Sequence, residues 1–363
     1  MVESGIFVTL YDKETLDLYL DKGVYGQHMP PEDGQPSSYS NYYRVLGDYA
    51  CCRENDHVFF FLKRKIYYGG QIKGSKEKGA FNINGQHSPM GRKANAELVW
   101  DESKREIYEE TDKPGVFKVN DKERCQPFII TFKDKRNLKG RYITSDKLYF
   151  KLGEYPYPLP SNSIQGMGFC TITPGETQTL LNLLKKPTTN KRNPQNNENI
   201  KINGKPTPYK TEYTINNPSE AEIESQLEAA LTANPKLLPP KLQPPKNAAI
   251  CRQTPISPFK PSQMDKADIT IYTEKQIRDG TIPNTVIELK NDKAGKQAAE
   301  QIKRYHKWLH KRLGNEAQKI GIHILAKDYT KTFNNYLPPK TQKQIQKHKL
   351  TETNNNQETL NIR

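Results

Sequence analysis

Cysteine, histidine and long apolar runs are all scarce in this chain, and each scarcity closes off a class of protein. The five cysteines in 363 residues include the adjacent Cys51 and Cys52 but no Cys-x-x-Cys pair. That argues against a secretory disulfide framework and against a thiolate metal site. The seven histidines show no His-Glu-x-x-His or zinc-type spacing. His306 and His310 stand four apart and read as part of a polar helix face. No stretch reaches the roughly 18 apolar residues of a membrane helix, and the first residues lack the basic start and apolar core of a signal peptide. A cytoplasmic prokaryotic protein without membrane association is therefore expected. Negative charge is also short: 56 Lys and Arg against 41 Asp and Glu leave a net charge of +15. Such an excess suits a polyanion, because phosphate neutralisation supplies most sequence-independent affinity for nucleic acid.

What the chain does contain is an ordered set of chemistry-bearing residues over fewer than forty positions. Asp268 stands in Ala-Asp-Ile-Thr-Ile-Tyr, Glu288 and Lys290 in Val-Ile-Glu-Leu-Lys, and Gln301 and Tyr305 in Gln-Ile-Lys-Arg-Tyr. Strand alternation puts Glu288 and Lys290 on one face and Leu289 on the other. Burying Glu and Lys in an apolar strand is costly unless they pair or bind something. Asp268 to Tyr272 is expected as a strand, Asp279-Gly280 as a turn, and Thr285 to Lys290 as its antiparallel return. A helix over roughly 293–313 would put Gln301 and Tyr305 on one face, and Ile320 to Ala326 reads as a parallel central strand. Ahead of them, Ser219-x-x-Glu222 predicts a capping box for a helix with an Ile223, Leu227, Ala230 and Leu231 stripe, ended by Asn234-Pro235. Glu222 would then be occupied in capping, while Glu224 borders the stripe and is placed to look over the sheet as a third carboxylate; a solvated helix-face charge is the alternative. Two strand carboxylates and an ammonium converging at one sheet edge are what a divalent ion and an activated water require.

Three near-motifs carry less. Glu102-Ser-Lys104 repeats Glu-x-Lys inside a polar run with no strand around it and reads as a solvated loop. The segment from Gly69 to Lys76 approximates a P-loop but ends in Ser-Lys instead of Gly-Lys-Ser/Thr, so no nucleotide cofactor is expected. Cys51-Cys52 reads as two small buried residues near a strand.

The pattern from Glu224, Leu227 and Asn234-Pro235 through Asp268, Glu288-Leu289-Lys290 and Gln301-x-x-x-Tyr305 resembles the PD-(D/E)xK nuclease superfamily. Within it, the pattern is similar to NucS/EndoMS-type catalytic domains, and Gln-x-x-x-Tyr also marks RecB-like nucleases. The resemblance implies Mg²⁺-dependent DNA cleavage, with Mn²⁺ as a possible substitute. Asp268 and Glu288 would be metal ligands, Lys290 would place or activate the water, Glu224 would lie near the metal, and Gln301 and Tyr305 would support substrate and site. Two departures stand out: the long Pro-rich stretch from Pro239 to Pro261, and an N-terminal half unlike that of NucS. Lys303, Arg304, Lys307, Lys311 and Arg312 are candidate phosphate contacts beside the site.

Fold expectations follow. Residues 1–184 should form a β-rich, barrel-like α+β domain, 185–217 a polar linker, 218–337 the α/β restriction-endonuclease-like domain, and 338–363 a flexible polar tail. The linker has too few apolar residues to weld the halves, so each is expected to fold alone. In the first half, strands are expected at 6–11, 57–61, 65–68, 96–100, 128–132 and 148–152, helices at 13–22 and 174–184, and a turn at 23–26. The early strand-helix followed by His57-Val58-Phe59-Phe60-Phe61 and Ile66-Tyr67-Tyr68-Gly69-Gly70 is loosely similar to PUA-like barrels of the EVE/ASCH kind. That likeness implies a nucleic-acid grip, with Trp100, Tyr42, Tyr43 and Tyr67 as candidates for a base pocket; a barrel core is the alternative. Three functions remain open at this point. They are a stand-alone restriction endonuclease cutting double-stranded DNA, working as a homodimer if both strands are cut; a repair or structure-specific nuclease; and an inactive nuclease fold that only binds DNA.

Overall fold

The computed structural model describes residues 2–29, 36–73, 81–83, 108–110, 117–119, 122–147, 168–194, 217–256, 265–274 and 282–350. The first half opens with β1 (Gly5–Thr9), α1 (Lys13–Lys22), β2 (Val24–Met29) and α2 (Pro36–Cys51). There follow β3 (His57–Leu62), β4 (Lys65–Ile72), β5 (Phe81–Ile83), β6 (Tyr108–Glu110), β7 (Phe117–Val119), β8 (Lys122–Lys133), β9 (Arg141–Thr144), β10 (Phe169–Ile172), α3 (Pro174–Leu184) and β11 (Asn190–Lys191). The second half comprises α4 (Glu224–Ala233), β12 (Ala249–Pro255), β13 (Lys266–Tyr272), β14 (Thr285–Ala294), α5 (Lys296–Leu313), β15 (Gly321–Tyr329), α6 (Pro339–Gln344) and β16 (Ile345–Lys349).

The first sheet runs β10-β1-β3-β4-β8-β7-β6, with β2 and β5 on β8 and β9 between β4 and β11, and it curls into a half-barrel. β1 and β3 are parallel, and the chain between them passes through α1, β2 and α2. Aromatics from β3 and β4 fill both faces: Phe60 and Tyr67 go to one core, and Phe59, Phe61 and Tyr68 to the other. The Gly23-to-Gly26 turn is instead the start of β2. Gly23 adopts φ 66° and ends α1 by donating its N–H to the Tyr19 carbonyl, 2.9 Å away. The helix α2 was not legible in its polar, Tyr- and Ser-rich sequence. Strands expected at 96–100 and 148–152, the Glu102-Ser-Lys104 decoy and the end of the P-loop-like segment lie outside the described residues. Cys51, Cys52, Cys170 and Cys251 are buried and form no disulfide.

The second sheet has the order β12-β13-β14-β15-β16. β12, β13 and β14 are successively antiparallel, and β14, β15 and β16 are parallel. Leu227 and Leu231 of α4 pack with Ile269, Ile271, Ile287, Leu289 and Leu325 on one face. Ile302, Tyr305 and Leu309 of α5 pack with Val286, Ile322 and Ile324 on the other. The result is a helix–sheet–helix sandwich whose catalytic candidates stand on the central strands.

Two boundaries differ from expectation, and the halves are in contact. The polar tail does not begin at 338, because α6 and β16 add a parallel strand, pairing Ile322 with Ile345 and Leu325 with His348. Nor does the linker begin at 185: β11 pairs with β9, and Arg192 grips Asp17 through two nitrogens at 2.6 and 2.5 Å. Residues 195–216 lie outside the described residues. Finally, the halves are joined by their own surfaces. Ala229 of α4 belongs to the first half's core, the Cys251 thiol donates to the Ile172 carbonyl at 3.7 Å, and Arg252, 3% exposed, is salt-bridged to Asp48 of α2. Pulling the halves apart would strand those charges.

Candidate active site

The Pro-rich stretch that looked irregular contains β12, and that strand sets one side of the site. Its register pairs Arg252 with Ile269 and Thr254 with Ala267, leaving Gln253 across from Asp268. The β13–β14 register pairs Ile269 with Ile287, so its next step brings Glu288 across from Asp268. Gln253, Asp268 and Glu288 thus stand at one level on three adjacent strands, where opposed side chains come within about 5 Å.

The carboxylates are held from several directions. Asp268, 5% exposed, accepts the Leu289 backbone N–H on Oδ2 at 2.7 Å and the Gln253 amide on Oδ1 at 3.0 Å. Each oxygen retains acceptor capacity. Glu288 is fully buried, with Oε1 2.8 Å from Lys290 Nζ and Oε2 2.7 Å from the Tyr305 hydroxyl. Tyr305 also meets the Lys266 carbonyl at 2.6 Å and accepts from Gln301 Nε2 at 2.7 Å. Lys290 continues to Glu224 Oε2 at 3.0 Å. The structure therefore draws Asp268, Glu288, Lys290, Glu224, Gln301 and Tyr305 into one connected cluster.

Local folding explains the position of Glu224. The capping box does not form: Ser219 lies in a 3₁₀ turn at Pro218–Glu220, where its N–H goes to Asn217 Oδ1. The helix starts four residues later, with Ile223 as a cap that makes no side-chain bond. Glu222 falls outside α4; its N–H donates to Gln226 Oε1 and its carbonyl accepts from Asn291 of β14 at 2.8 Å. Glu224 becomes the first helical residue and reaches Lys290.

Burial and crowding of like charge set the electrostatics. Burial drives the Asp268 carboxyl well above its usual range, and the charges of Glu288, Glu228 and Glu224 add to the rise. Burial pushes Glu288 up to about 7 against the opposing pull of Lys290 and Tyr305. For Lys290, burial works downward but is outweighed by Glu288, Asp268 and Glu224, so its ammonium is held charged. Four carboxylates, Glu224, Glu228, Asp268 and Glu288, thus gather near Lys290 and Arg252, and their mutual repulsion adds to the effect of burial. Among the described residues no three His, Cys, Asp or Glu side chains form a ready-made metal cluster. Hard oxygen donors from Asp268 and Glu288 nevertheless fit Mg²⁺, which binds through one or two carboxylates and completes its shell with water and phosphate.

Three participants escaped the sequence reading. Glu228, one turn beyond Glu224 and 3% exposed, accepts from Arg252 Nη2 at 2.5 Å and from Gln253 Nε2 at 3.1 Å. Burial raises its pKa while Arg252 opposes the rise. The available signals were the i,i+4 spacing of Glu224 and Glu228 and the apolar run Ala248 to Cys251 ahead of Arg252-Gln253.

Other candidates do not gather here. At about 100° per residue, Lys303 and Lys307 lie nearly opposite Tyr305 on α5, and Lys311 well round from it. Lys303 pairs with Glu300 at 3.3 Å, and Arg304 is held by Asp265 at 2.6 and 2.8 Å. Arg312 is on the last turn of α5. Lys303, Lys307 and Lys311 therefore lie on a face turned away from the carboxylate cluster. In the first half, Tyr67 is a core residue whose ring is tilted against that of Tyr142, with centroids 4.9 Å apart. Tyr43 is half-buried against the same core, with its hydroxyl taking a bond from Gln226 of α4 at 3.3 Å. Tyr67 is thus a core aromatic, while Tyr43 stays partly exposed; Trp100 and the Tyr42 side chain lie outside the described residues. A cavity of about 430 Å³, lined by Glu3, Arg136, Thr177, Gln178 and Glu274 among others, includes none of the carboxylate cluster.

No family profile matches the chain, and neither a characterised protein nor a solved structure matches it. The described fold is an α+β architecture whose second sheet carries an acid–acid–lysine constellation, and no helix among the described residues is long and apolar enough to cross a membrane.

Proposed function

We propose that the chain is a Mg²⁺-dependent DNA endonuclease whose catalytic centre is Asp268, Glu288 and Lys290. The observation that carries this is the placement of two buried carboxylates, Asp268 and Glu288, at one level on adjacent strands, with Lys290 Nζ 2.8 Å from Glu288 Oε1. Burying mutually repelling acids is costly, and a bound cation would offset that cost. Asp268 and Glu288 would hold the ion, which supplies a Lewis acid that offsets charge growing on the phosphate. Lys290, kept charged by its carboxylate neighbours, draws in the scissile phosphate and orients the attacking water. Glu224 steadies that ammonium from the helix side. Tyr305 and Gln301 hold the Glu288 carboxylate in place. The first half reads the DNA, by sequence or base modification, which makes the role one of restriction, and two copies would act together to cut both strands.

The test is digestion of modified and unmodified plasmid DNA with Mg²⁺ or Mn²⁺ by the full chain and by Glu288→Ala and Asp268→Ala. Fragments at discrete sites support restriction, and cleavage confined to mismatches or flaps would shift the role to repair. Both variants should lose cleavage by at least about 100-fold while retaining DNA binding, since affinity comes from basic side chains. Full cleavage by either variant sinks the assignment.

A further inference from the structure

Gln253 is the one described residue of the second half, glycine apart, with a positive φ, at 48°; the other four non-glycine cases belong to the first half. It lies inside a strand, and the register on either side of it is unbroken, so the left-handed backbone is not the by-product of an inserted residue. Left-handed conformation in a non-glycine residue persists where surrounding contacts over-determine it, and such residues gather at functional sites. Here its visible effect is to aim the amide. Both Nε2 hydrogens are used, one on Asp268 Oδ1 at 3.0 Å and one on Glu228 Oε1 at 3.1 Å.

The preceding residue makes the link to the other half of the chain. Arg252 gives Nη2 to Glu228 Oε2 and Nη1 to both Asp48 Oδ2, at 2.7 Å, and the Arg44 carbonyl. Its backbone N–H donates to Thr171 Oγ1 at 3.0 Å, and Asp48 Oδ1 in turn accepts the Thr171 N–H at 3.0 Å. A continuous chain of buried polar contacts thus runs from α2 and β10 in the first half, through Arg252 and Glu228, to Gln253 and Asp268. Asp48 and Glu228 are both buried, so neither can exchange Arg252 for water at low cost.

We propose that Gln253 is a positioning residue for Asp268, and that Arg252 makes this positioning depend on the first half being docked through Asp48. The inference deepens the nuclease reading and rests on it, because Asp268 is taken as the cation ligand. It places control of the catalytic half in the half that reads DNA: whatever shifts α2 shifts Glu228 and, with it, the amide that orients Asp268.

The test is calorimetric Mn²⁺ binding to the full chain, with thermal unfolding and metal-free DNA binding measured on the same samples. The proteins are wild type, Gln253→Gly, Gln253→Asn and Asp48→Asn. Gln253→Gly removes the amide and relieves the left-handed backbone, so it should unfold no earlier than wild type yet bind Mn²⁺ at least about tenfold more weakly, with unchanged DNA affinity. A purely structural Gln253 would leave Mn²⁺ affinity unmoved. Gln253→Asn, which tolerates the same backbone but is too short to span both carboxylates, should fail to restore the affinity. Asp48→Asn should weaken Mn²⁺ binding by severalfold although it does not touch Asp268. Wild-type affinity in Gln253→Gly overturns the positioning role and leaves the nuclease reading standing. Wild-type affinity in a folded Asp48→Asn overturns the dependence on docking. A wild-type chain that neither binds Mn²⁺ nor cuts DNA removes the nuclease reading and this inference together.

Discussion

Acidification should loosen the last strand of the second sheet through a single pair of imidazoles. His323 of β15 and His348 of β16 face each other with Nδ1 and Nε2 3.0 Å apart, so one ring must donate and the other accept. Protonating both puts two N–H groups and two charges against each other. Burial, helped by the His348 charge, lowers the His323 pKa to about 4 from an ordinary 6.5. His348 is lowered too, by burial and then by Lys241. A histidine whose folded pKa is depressed contributes stability that is present above 6.5 and lost as pH falls toward 4. A gap of 2.5 between those values corresponds to at most about 3 kcal/mol. Urea unfolding of wild type and His323→Gln at pH 6.5 and 4.5 measures it. Wild type should lose about 2–3 kcal/mol more than the variant over that interval. Equal losses in the two proteins would refute the reasoning, because other titrating groups are common to both.

Glu176 should titrate in the opposite sense. It closes the capping box of α3, accepting from the Thr173 N–H and hydroxyl at 2.8 and 2.9 Å, and burial raises it to about 6 from 4.5. Its folded form therefore favours the proton, and about 2 kcal/mol of stability present below pH 4.5 is lost by pH 6; Glu176→Gln should flatten that part of the pH–stability curve. Tyr305→Phe leaves the Lys266 carbonyl, Gln301 and Glu288 Oε2 short of a partner, so denaturant unfolding should show a loss of about 1–3 kcal/mol. The acid limb of any cleavage profile should also move to higher pH in that variant, because the Tyr305 bond holds the Glu288 pKa down. Arg252→Met strands Asp48 and Glu228 and should cost about 3–5 kcal/mol in chemical unfolding; a loss below about 1 kcal/mol would mean that the interface opens in solution.

The second half was the more legible because its signals are local and periodic. The strands at Asp268 and Glu288, their antiparallel pairing, the parallel strand after α5 and the shared face of Gln301 and Tyr305 all follow from alternation and helical spacing. What stayed hidden depends on partners distant in sequence. β12 sits among prolines that read as breakers, and its pairing with β13 overrides them. β16 is a polar Ile-Gln-Lys-His-Lys run with no strand-like alternation of its own, fixed only by β15. Ser219 and Glu222 match the capping pattern, yet Pro218 starts a 3₁₀ turn and the helix begins later. In the first half the aromatic strands at His57 and Ile66 were readable, whereas α2 carries too mixed a sequence to announce itself. The basic residues of α5 were readable as a charged face; which way that face points relative to Tyr305 only the packing of Ile302 and Leu309 decides.

Gly47 sits on α2 directly against the buried arginine: a Cβ at this position would stand 2.5 Å from Arg252 Nε, 2.7 Å from Cζ and 2.9 Å from Cδ. The two halves of the chain therefore meet across a gap narrower than one methyl group. A side chain of any size at 47 would act as a wedge, displacing either the guanidinium or the helix, with no third way to relieve the clash. Glycine inside a helix normally weakens it. Here that weakness is the condition under which two separately woven sheets become a single molecule.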